Sequence, residues 1–364
     1  MAYEKPPCSF NQIDKAGRHI ADRRIANDTR AKAANTIWNW RSAHSYPLNA
    51  LHTTLRNRTL RVDNSALTAQ RLKRLNSILR KLRRRETMQM SQMQDVGGCR
   101  AVVSNLSRLT ALRRVYESSP LRHELSRVRD YVLDPKDDGY RSVHLMYRFS
   151  GKGTSLPWNK LRIEIQMRTA LQHAWATSVE TVDAFTGEDL KFGSGSARWK
   201  RFFQLMGSVH ARIEKTSLIP GTPSAEIELW DEVRYLENDL SVIRHLRSYA
   251  SLTEHITGRP YAGREWYLVK MMPDKNRVTV TGHPLERFRE AKRLLAEAER
   301  EFEGTKNQAV LVKTNSLREL KRAYPNYFAD TANFTAVLDK YMQTRPIIRP
   351  IFRGRPGPEQ GNLF

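Results

Sequence analysis

Cysteine is scarce in this sequence, and long apolar runs are missing from it. The 364 residues include only two cysteines, Cys8 and Cys99, which lie far apart and form no Cys-x-x-Cys pair. This pattern excludes a disulfide framework and a conventional cysteine zinc site, so both residues are predicted to be plain thiols. No apolar run approaches membrane-spanning length, and the first residues lack a secretory apolar segment. We therefore expect a cytoplasmic protein without a membrane span.

Acidic residues are also in short supply. The chain has 38 acidic and 62 basic residues, a net charge of +24, and the basic excess is spread along the whole sequence. A field of this sign attracts polyphosphates and nucleic acids and makes their binding dependent on salt. The densest block, residues 56–85, has eleven basic residues against the single acid Asp63. This block predicts an anionic partner, and an inert basic surface is the alternative.

Two stretches near the middle of the chain combine apolar alternation with polar side chains. In LRIEIQMRT, residues 161–169, every second residue is apolar, which predicts a strand with one face in a core. Just before it, a Lys-Asp-Asp-Gly-Tyr turn ends at Tyr140 and leads into a predicted strand from Arg141 to Phe149. The other face of the later strand either lines a polar cleft or is half-exposed to solvent. That face carries Arg162, Glu164, Gln166 and Arg168.

The basic segment LTAQRLKRLNSILRKLRRR, residues 67–85, has two interpretations. As one long helix it would place Lys73, Ser77 and Lys81 on a single face, because they recur every four residues. Alternatively, an extended piece precedes a helix that Asn76 caps. The sequence alone leaves both possibilities open.

Four motifs follow one another in an order that resembles the synthetase domain of the RelA/SpoT family. They are RLKRLNSILRKL, QDVGGCR, DPKDDGYRSVHL and IEIQMRT, and the resemblance covers about residues 50–215. It implies an α/β (α+β) fold with a mixed β-sheet flanked by helices. It also implies a magnesium-dependent enzyme that moves pyrophosphate from ATP to a ribose hydroxyl.

The resemblance further implies a role for individual residues. Asp95 and Glu164 would be the catalytic acids; Asp95 would be the magnesium ligand, and Glu164 would be the second acid that holds the metal or activates the hydroxyl. Tyr140 would stack on the acceptor base, although packing at a strand edge is the structural alternative. His173 also matches a family position, but a single histidine on a helix is more often structural. The implied ATP-binding residues are Arg71, Lys73, Ser77, Lys81 and Arg100, and the implied acceptor-binding residues are Tyr140, Lys136, His144, Gln166 and Arg168.

These residue types suit the implied chemistry. Pyrophosphoryl transfer needs a cation on the phosphate oxygens, basic clamps on the phosphates and a carboxylate near the attacking hydroxyl. Magnesium prefers one or two carboxylates with water in the remaining positions, which fits the pair Asp95 and Glu164. An aromatic ring such as that of Tyr140 offers stacking worth about 1 to 3 kcal/mol per base.

The rest of the chain divides by composition. Residues 11–56 are predicted to be helical with an interruption at Pro47, and Pro, Gly and Ser cluster at 219–226. The last third is predicted to be a β-β-α-β-α module that contains no cysteine. We predict a synthetase domain with a basic N-terminal helical region over 1–218, a linker and tethering helix over 219–261, a C-terminal domain over 262–345, and an extended or disordered Pro/Arg-rich tail over 346–364.

This domain order, with the Tyr-x-x-Tyr pair Tyr324 and Tyr327, resembles the CapRel fusions of a toxin and an antitoxin. The resemblance implies that the C-terminal domain is a metal-free relative of a zinc finger and that its tyrosines obstruct the ATP site. A phage protein, possibly a capsid protein, would release the block. The toxin would then modify the 3′ end of tRNA and stop translation. A pair of aromatic residues packing the last helix is the alternative.

The acceptor is predicted to be tRNA, because a net charge of +24 and the block at 56–85 offer more basic groups than an ATP pocket needs. A (p)ppGpp or ppApp synthetase that uses a free nucleotide remains the alternative. A regulator with an inactive enzymatic fold would lack Asp95 or Glu164, and both are present. We expect a monomer with ATP, tRNA and a phage protein as partners, magnesium as the cofactor, and no zinc.

Overall fold

The computed structural model describes most of the chain. The predicted tail, 346–364, and the end of the predicted linker lie outside the described residues. Those residues are 3–22, 24–84, 87–188, 190, 195–252, 266–275, 277–302, 304–314, 317–328 and 331–344.

Twelve α-helices and eight β-strands occur within these ranges. The helices are α1 Phe10–Ala21, α2 Asn27–Ala43, α3 Ser45–Val62, α4 Leu75–Arg84, α5 Leu106–Ser118, α6 Ala170–Thr186, α7 Ala197–Glu214, α8 Glu226–Leu240, α9 Val242–Leu252, α10 Phe288–Glu301, α11 Leu317–Ala323 and α12 Ala332–Thr344. The strands are β1 Leu67–Leu72, β2 Gly97–Val103, β3 Glu124–Asp130, β4 Val143–Arg148, β5 Arg162–Thr169, β6 Trp266–Met272, β7 Arg277–His283 and β8 Gln308–Lys313.

All eight strands form one mixed sheet in the order β3-β4-β5-β2-β1-β8-β6-β7. The pair β2 and β5 is parallel, and the other neighbours are antiparallel. Alternation holds on β5, where Ile163, Ile165 and Met167 are completely buried. The predicted mixed sheet flanked by helices is therefore confirmed.

The C-terminal module continues this sheet. Its element order, β6-β7-α10-β8-α11-α12, follows the predicted pattern with one more helix. Strand β8 pairs with β1 through Gln70 with Lys313 and Arg71 with Val312. This pairing was not predicted, because strand partners distant in sequence leave no local signal. It places the module directly beside a strand that carries a predicted ATP-binding residue.

The segment that had two interpretations is a strand followed by a helix. Strand β1 ends at Leu72 and α4 begins at Leu75, so Asn76 lies inside the first turn of α4 and does not cap it. Lys73 lies between the two elements, and the single helix that would align it with Ser77 is therefore wrong. A backbone hydrogen bond holds the loop between β1 and α4 in place, because the Lys73 amide donates to the Val96 carbonyl beside β2.

Three predicted helical details also differ in the structure. Pro47 lies in the first turn of α3. Backbone N–H groups there have no acceptor within the helix, so a proline costs no hydrogen bond. The tethering helix predicted within 219–261 is interrupted at Ser241, whose φ of 49° ends α8. Ile213 has the spacing of the buried apolar residues of α7 but is exposed. Within the described ranges, no helix combines the length and apolarity that crossing a bilayer requires.

Candidate active site

The polar side chains predicted to form the site share one face of the sheet. In the register, Glu164 on β5 lies opposite Met146 on β4 and Gly98 on β2. Gln166, two residues on, lies opposite His144 and Arg100 in the same way. Because cross-strand partners point to the same side, β4, β5, β2 and β1 together form the floor of the site.

Asp95 is held by two lysines just before β2. Nζ of Lys73 lies 2.6 Å from one carboxylate oxygen, and Nζ of Lys81 lies 2.9 Å from the other. Burial alone would raise the pKa of Asp95, but the two ammonium groups outweigh it and keep the pKa well below its usual range. We call these three residues the lysine clamp. It keeps Asp95 ionised and brings together residues from the loop between β1 and α4, from α4, and from the segment just before β2.

A cleft of about 470 Å³ opens next to the lysine clamp. Arg71, Lys73, Ser77 and Arg80 line one wall. Clefts of this size hold nucleotide-sized ligands. The opposite wall includes four residues of the C-terminal module, Met271, Glu299, Phe302 and Gln308.

The predicted acceptor residues form a closed hydrogen-bond circuit with Glu164. Its carboxylate contacts His144 Nδ1 at 2.8 Å and accepts from Gln166 Nε2 at 2.7 Å. Arg168 Nη2 donates to Gln166 Oε1 at 2.9 Å and to the Tyr140 hydroxyl at 2.6 Å. The hydroxyl lies 2.8 Å from His144 Nε2, which completes the circuit. We call these five residues the hydrogen-bond circuit.

The ionised carboxylate of Glu164 fixes the direction of the hydrogen bonds that it receives. An ionised carboxylate only accepts, so His144 Nδ1 is the donor to Glu164. His144 Nε2 accepts from the Tyr140 hydroxyl when the imidazole is neutral and donates to it when the imidazole is charged. Burial raises the pKa of Glu164, but the hydrogen bond and charge of His144 and the amide of Gln166 more than offset it, so the pKa is lowered. The circuit thus holds Glu164 as an oriented carboxylate.

The Tyr140 ring is surrounded by cations and aromatic rings. Lys136 Nζ lies 4.8 Å and the Arg168 guanidinium carbon 5.1 Å from its centroid. The Trp175 ring packs against it edge-on, with centroids 6.2 Å apart. All the predicted acceptor residues are therefore brought together.

Tyr324 of the C-terminal module reaches the same place. With only 3% of its surface exposed, it lines a cavity of about 40 Å³ together with Asp95, Arg100 and Glu164. The Arg100 guanidinium carbon lies 5.8 Å from the Tyr324 ring centroid. Both predicted catalytic carboxylates and one predicted inhibitory tyrosine thus share a cavity. The side chain of Tyr327 lies outside the described part of the structure.

The donor set in this cavity fits magnesium. Asp95 and Glu164 line it as two carboxylates whose pKa values are both lowered. Two carboxylates with room for water are the protein ligands that Mg²⁺ prefers. In the described ranges, no cluster of three or more His, Cys, Asp or Glu side chains could hold a metal.

Comparison with known proteins supports the prediction for this part of the chain. Residues 70–183 match the family described as the region found in RelA / SpoT proteins. This segment is similar to that region, and we call residues 70–183 the RelA/SpoT region after this similarity. It contains the lysine clamp and the hydrogen-bond circuit together.

Curated relatives of the RelA/SpoT region are known from Bacillus subtilis. The GTP pyrophosphokinase YwaC is 31% identical over 118 residues, 30% of this chain and 54% of the relative. The GTP pyrophosphokinase YjbM is 32% identical over 111 residues, 29% of this chain and 51% of the relative. The chain thus spans about half the length of the curated relatives it matches.

Solved structures of small alarmone synthetases from the same organism are similar at a lower level. Small alarmone synthetase 2 is 21% identical, with a TM-score of 0.41, over 49% of this chain and 93% of that one. Small alarmone synthetase 1 bound to its product pppGpp is 23% identical, with a TM-score of 0.39, over 47% and 88%. At TM-scores below 0.5 these likenesses support no conclusion about activity.

The structure adds two arginines to the RelA/SpoT region's polar face and leaves one histidine outside it. Arg127 and Arg129 on the edge strand β3 lie opposite Met146 and His144, so they extend the face that carries Glu164. Their alternation in RVRD was visible in the sequence but was not used. His173 does not line the cavity of Asp95 and Glu164. It is buried on α6 with Nε2 3.4 Å from the Arg322 carbonyl.

Proposed function

We propose that this chain is a magnesium- and ATP-dependent pyrophosphokinase. One observation carries the proposal: Asp95 and Glu164 share a cavity that lies between the lysine clamp and the hydrogen-bond circuit. A phosphate-sized anion beside Lys73 and Lys81 and a hydroxyl beside Glu164 would then be neighbours. The names of the curated relatives, GTP pyrophosphokinases, support the same reaction class.

In the proposed reaction, the acceptor hydroxyl attacks the β-phosphorus of ATP. A new P–O bond forms to the ribose oxygen, the bond between the β-phosphorus and the α–β bridging oxygen breaks, and AMP leaves. Glu164 accepts the hydroxyl proton, and the lysine clamp and Arg71 balance charge on the phosphates. Magnesium, held by Asp95 and Glu164, would neutralise charge on the phosphate oxygens when bound.

We further propose that the C-terminal module is an antitoxin that inhibits the RelA/SpoT region in the same chain. The support is the position of Tyr324, which lines the cavity of both carboxylates and whose ring lies near Arg100. An aromatic side chain at this point excludes a nucleotide. A phage protein that binds the module would withdraw Tyr324 and start the reaction.

The proposed acceptor is the 3′-terminal adenosine of tRNA, so that activity blocks translation and aborts infection. The net charge of +24 supports a polyanion, because ATP alone cannot use that many basic groups. Arg127 and Arg129 add cations beyond His144 on the face that carries the circuit. The second candidate is an alarmone synthetase acting on GDP or GTP, which the names of the relatives favour.

Transfer of label from γ-labelled ATP tests the function. Purified full-length chain carrying Tyr324→Ala is incubated with magnesium and either deacylated tRNA or GDP and GTP. Label in tRNA is expected. Label only in the nucleotides would replace tRNA by the second candidate, and no transfer to either acceptor would refute a pyrophosphokinase.

A further inference from the structure

The turn that carries Tyr140 rests directly on helix α7. A Cβ on Gly207 of α7 would lie 2.8 Å from the Gly139 Cα, and a Cβ on Gly139 would lie 2.7 Å from the Phe203 carbonyl oxygen. Gly139 also has a φ of +95°, which favours glycine. The same Phe203 carbonyl accepts a hydrogen bond from Trp175 Nε1 at 2.8 Å. The turn that precedes Tyr140 is therefore packed tightly against α7.

Glu214 lies about two helical turns beyond Gly207, on the same side of α7. Its carboxylate reaches two other segments of the chain. One oxygen lies 3.3 Å from Arg141 Nη1 and accepts from Gln172 Nε2 at 2.9 Å. The second oxygen accepts from the Thr169 hydroxyl. The side chains of Arg141 and Glu214 are only 2% and 5% exposed, so this is a buried ion pair.

Two of the three partners of Glu214 are adjacent in sequence to a residue of the hydrogen-bond circuit. Arg141 directly follows Tyr140, and Thr169 directly follows Arg168. Tyr140 and Arg168 are themselves joined by the 2.6 Å hydrogen bond of the circuit. Glu214 thus ties the two backbone segments whose side chains must meet there.

We propose that Glu214 is a positioning residue for the acceptor. It lies outside the cavity of the catalytic carboxylates and fixes the spacing between the Tyr140 ring and the Arg168 guanidinium. This inference rests on the proposed function. Loss of the Glu214 charge leaves Arg141 buried without a counter-ion, and its Nε has no hydrogen-bond partner among the described residues. The acceptor segments then loosen, while the lysine clamp on other elements keeps its contacts.

The test compares Glu214→Gln with Glu232→Gln in full-length chain carrying Tyr324→Ala. Glu232 also pairs with an arginine of α7, Arg201, at 2.6 Å, but it has no contact with the acceptor segments. Label transfer from ATP is measured while deacylated tRNA and ATP are varied in turn. Glu214→Gln is expected to raise the KM for tRNA about tenfold and to change the KM for ATP by less than about twofold. Glu232→Gln should leave the KM for tRNA and the KM for ATP unchanged.

An equal rise in both KM values, or no rise for tRNA, would overturn the positioning role. If label enters GDP instead of tRNA, the same comparison is made with GDP. If Glu214→Gln does not fold, the double variant Glu214→Gln with Arg141→Met removes the unpaired charge. That variant should fold and still show the raised acceptor KM, and a normal acceptor KM would contradict the proposal.

Hydrogen exchange separates this inference from the proposed function. In the chain without substrate, Glu214→Gln should speed exchange at residues 136–142 and 168–172 about tenfold and leave residues 71–81 unchanged. Uniform acceleration, or none, would refute the role of Glu214 even in an active enzyme. Local acceleration in a protein that transfers no label would instead refute the pyrophosphokinase and leave Glu214 as the residue that orders these segments.

Discussion

The lysine clamp and the hydrogen-bond circuit lie side by side, but they are built differently. The clamp consists of three charged groups whose side chains are between 16% and 25% exposed. The circuit is buried more deeply, with His144 and Glu164 side chains 10% and 9% exposed, and each of its members bonds to two others. Charged groups near water exchange partners readily, whereas a buried and closed network keeps its geometry. We infer that the clamp rearranges when phosphates arrive and that the circuit is preorganised.

The largest effect is expected where the clamp and the circuit meet. Glu164→Gln should reduce label transfer by about a thousandfold, because the amide cannot accept the hydroxyl proton. Rates at saturating ATP and acceptor measure the change. Glu124→Gln, which removes a surface carboxylate paired with Arg148, is the matched control and should retain full activity. Transfer by Glu164→Gln at the control rate would remove Glu164 from the catalytic step.

Tyr324→Ala should disturb the ATP side and leave the circuit intact. Removal of the ring opens the cavity beside Arg100, so basal label transfer is expected to rise about tenfold or more over the unsubstituted chain, and the affinity for ATP should rise as well. Tyr235→Ala, at an exposed tyrosine of α8, is the control. Unchanged transfer and ATP binding in a folded Tyr324→Ala protein would argue against inhibition by this side chain.

Acid should cost the clamp more stability than it costs the circuit. The folded-state pKa of Asp95 is lowered, so its contribution to stability is present above its ordinary pKa of 3.8 and is lost as the pH falls below about 4. In Asp95→Asn the free energy of unfolding should therefore fall less steeply between about pH 4 and 2, with a slope smaller by about 1 kcal/mol per pH unit. Denaturant titrations at several pH values measure this slope. Glu164→Gln should reduce this slope less than Asp95→Asn does. A larger reduction by Glu164→Gln would contradict the comparison between the clamp and the circuit.

The smallest effect is expected at the rim of the circuit. Lys136 lies 4.7 Å from the Tyr131 ring centroid and 4.8 Å from that of Tyr140, and such contacts are worth about 0.5 to 1 kcal/mol near the surface. Lys136→Met should raise the KM for the acceptor by about two- to fivefold and leave the KM for ATP unchanged. Lys152→Met, at the other end of β4, is the control. A larger change in the KM for ATP than in the KM for the acceptor would contradict a role for Lys136 in binding the acceptor.

Local patterns predicted the buried face of β5 correctly. Alternation on β5 placed Ile163 and Ile165 in the core, and a capping box of Thr169 with Gln172 begins α6 directly after this strand. The same reasoning could not show that Lys73 and Lys81, from different elements, would hold one carboxylate. Side chains from distant segments meet through tertiary packing, which has no local period.

The C-terminal module shows the same limit more clearly. Its strands and helices follow the predicted order, but the pairing of β8 with β1 joins segments more than 200 residues apart, and no short pattern encodes it. The buried contacts of Glu214 were missed for a related reason. A glutamate at the end of a charged helix is normally exposed, so its burial is visible only in the fold.

The joint between β8 and β1 makes the C-terminal module part of the sheet that carries the candidate site. A chain cut before β6 would expose the backbone edge of β1, where another chain could pair. Among the described residues, the register at this joint comprises two pairs, Gln70 with Lys313 and Arg71 with Val312. A β8 strand of a second molecule offers the same backbone groups to this edge, so an exchange of strands between two molecules would form here.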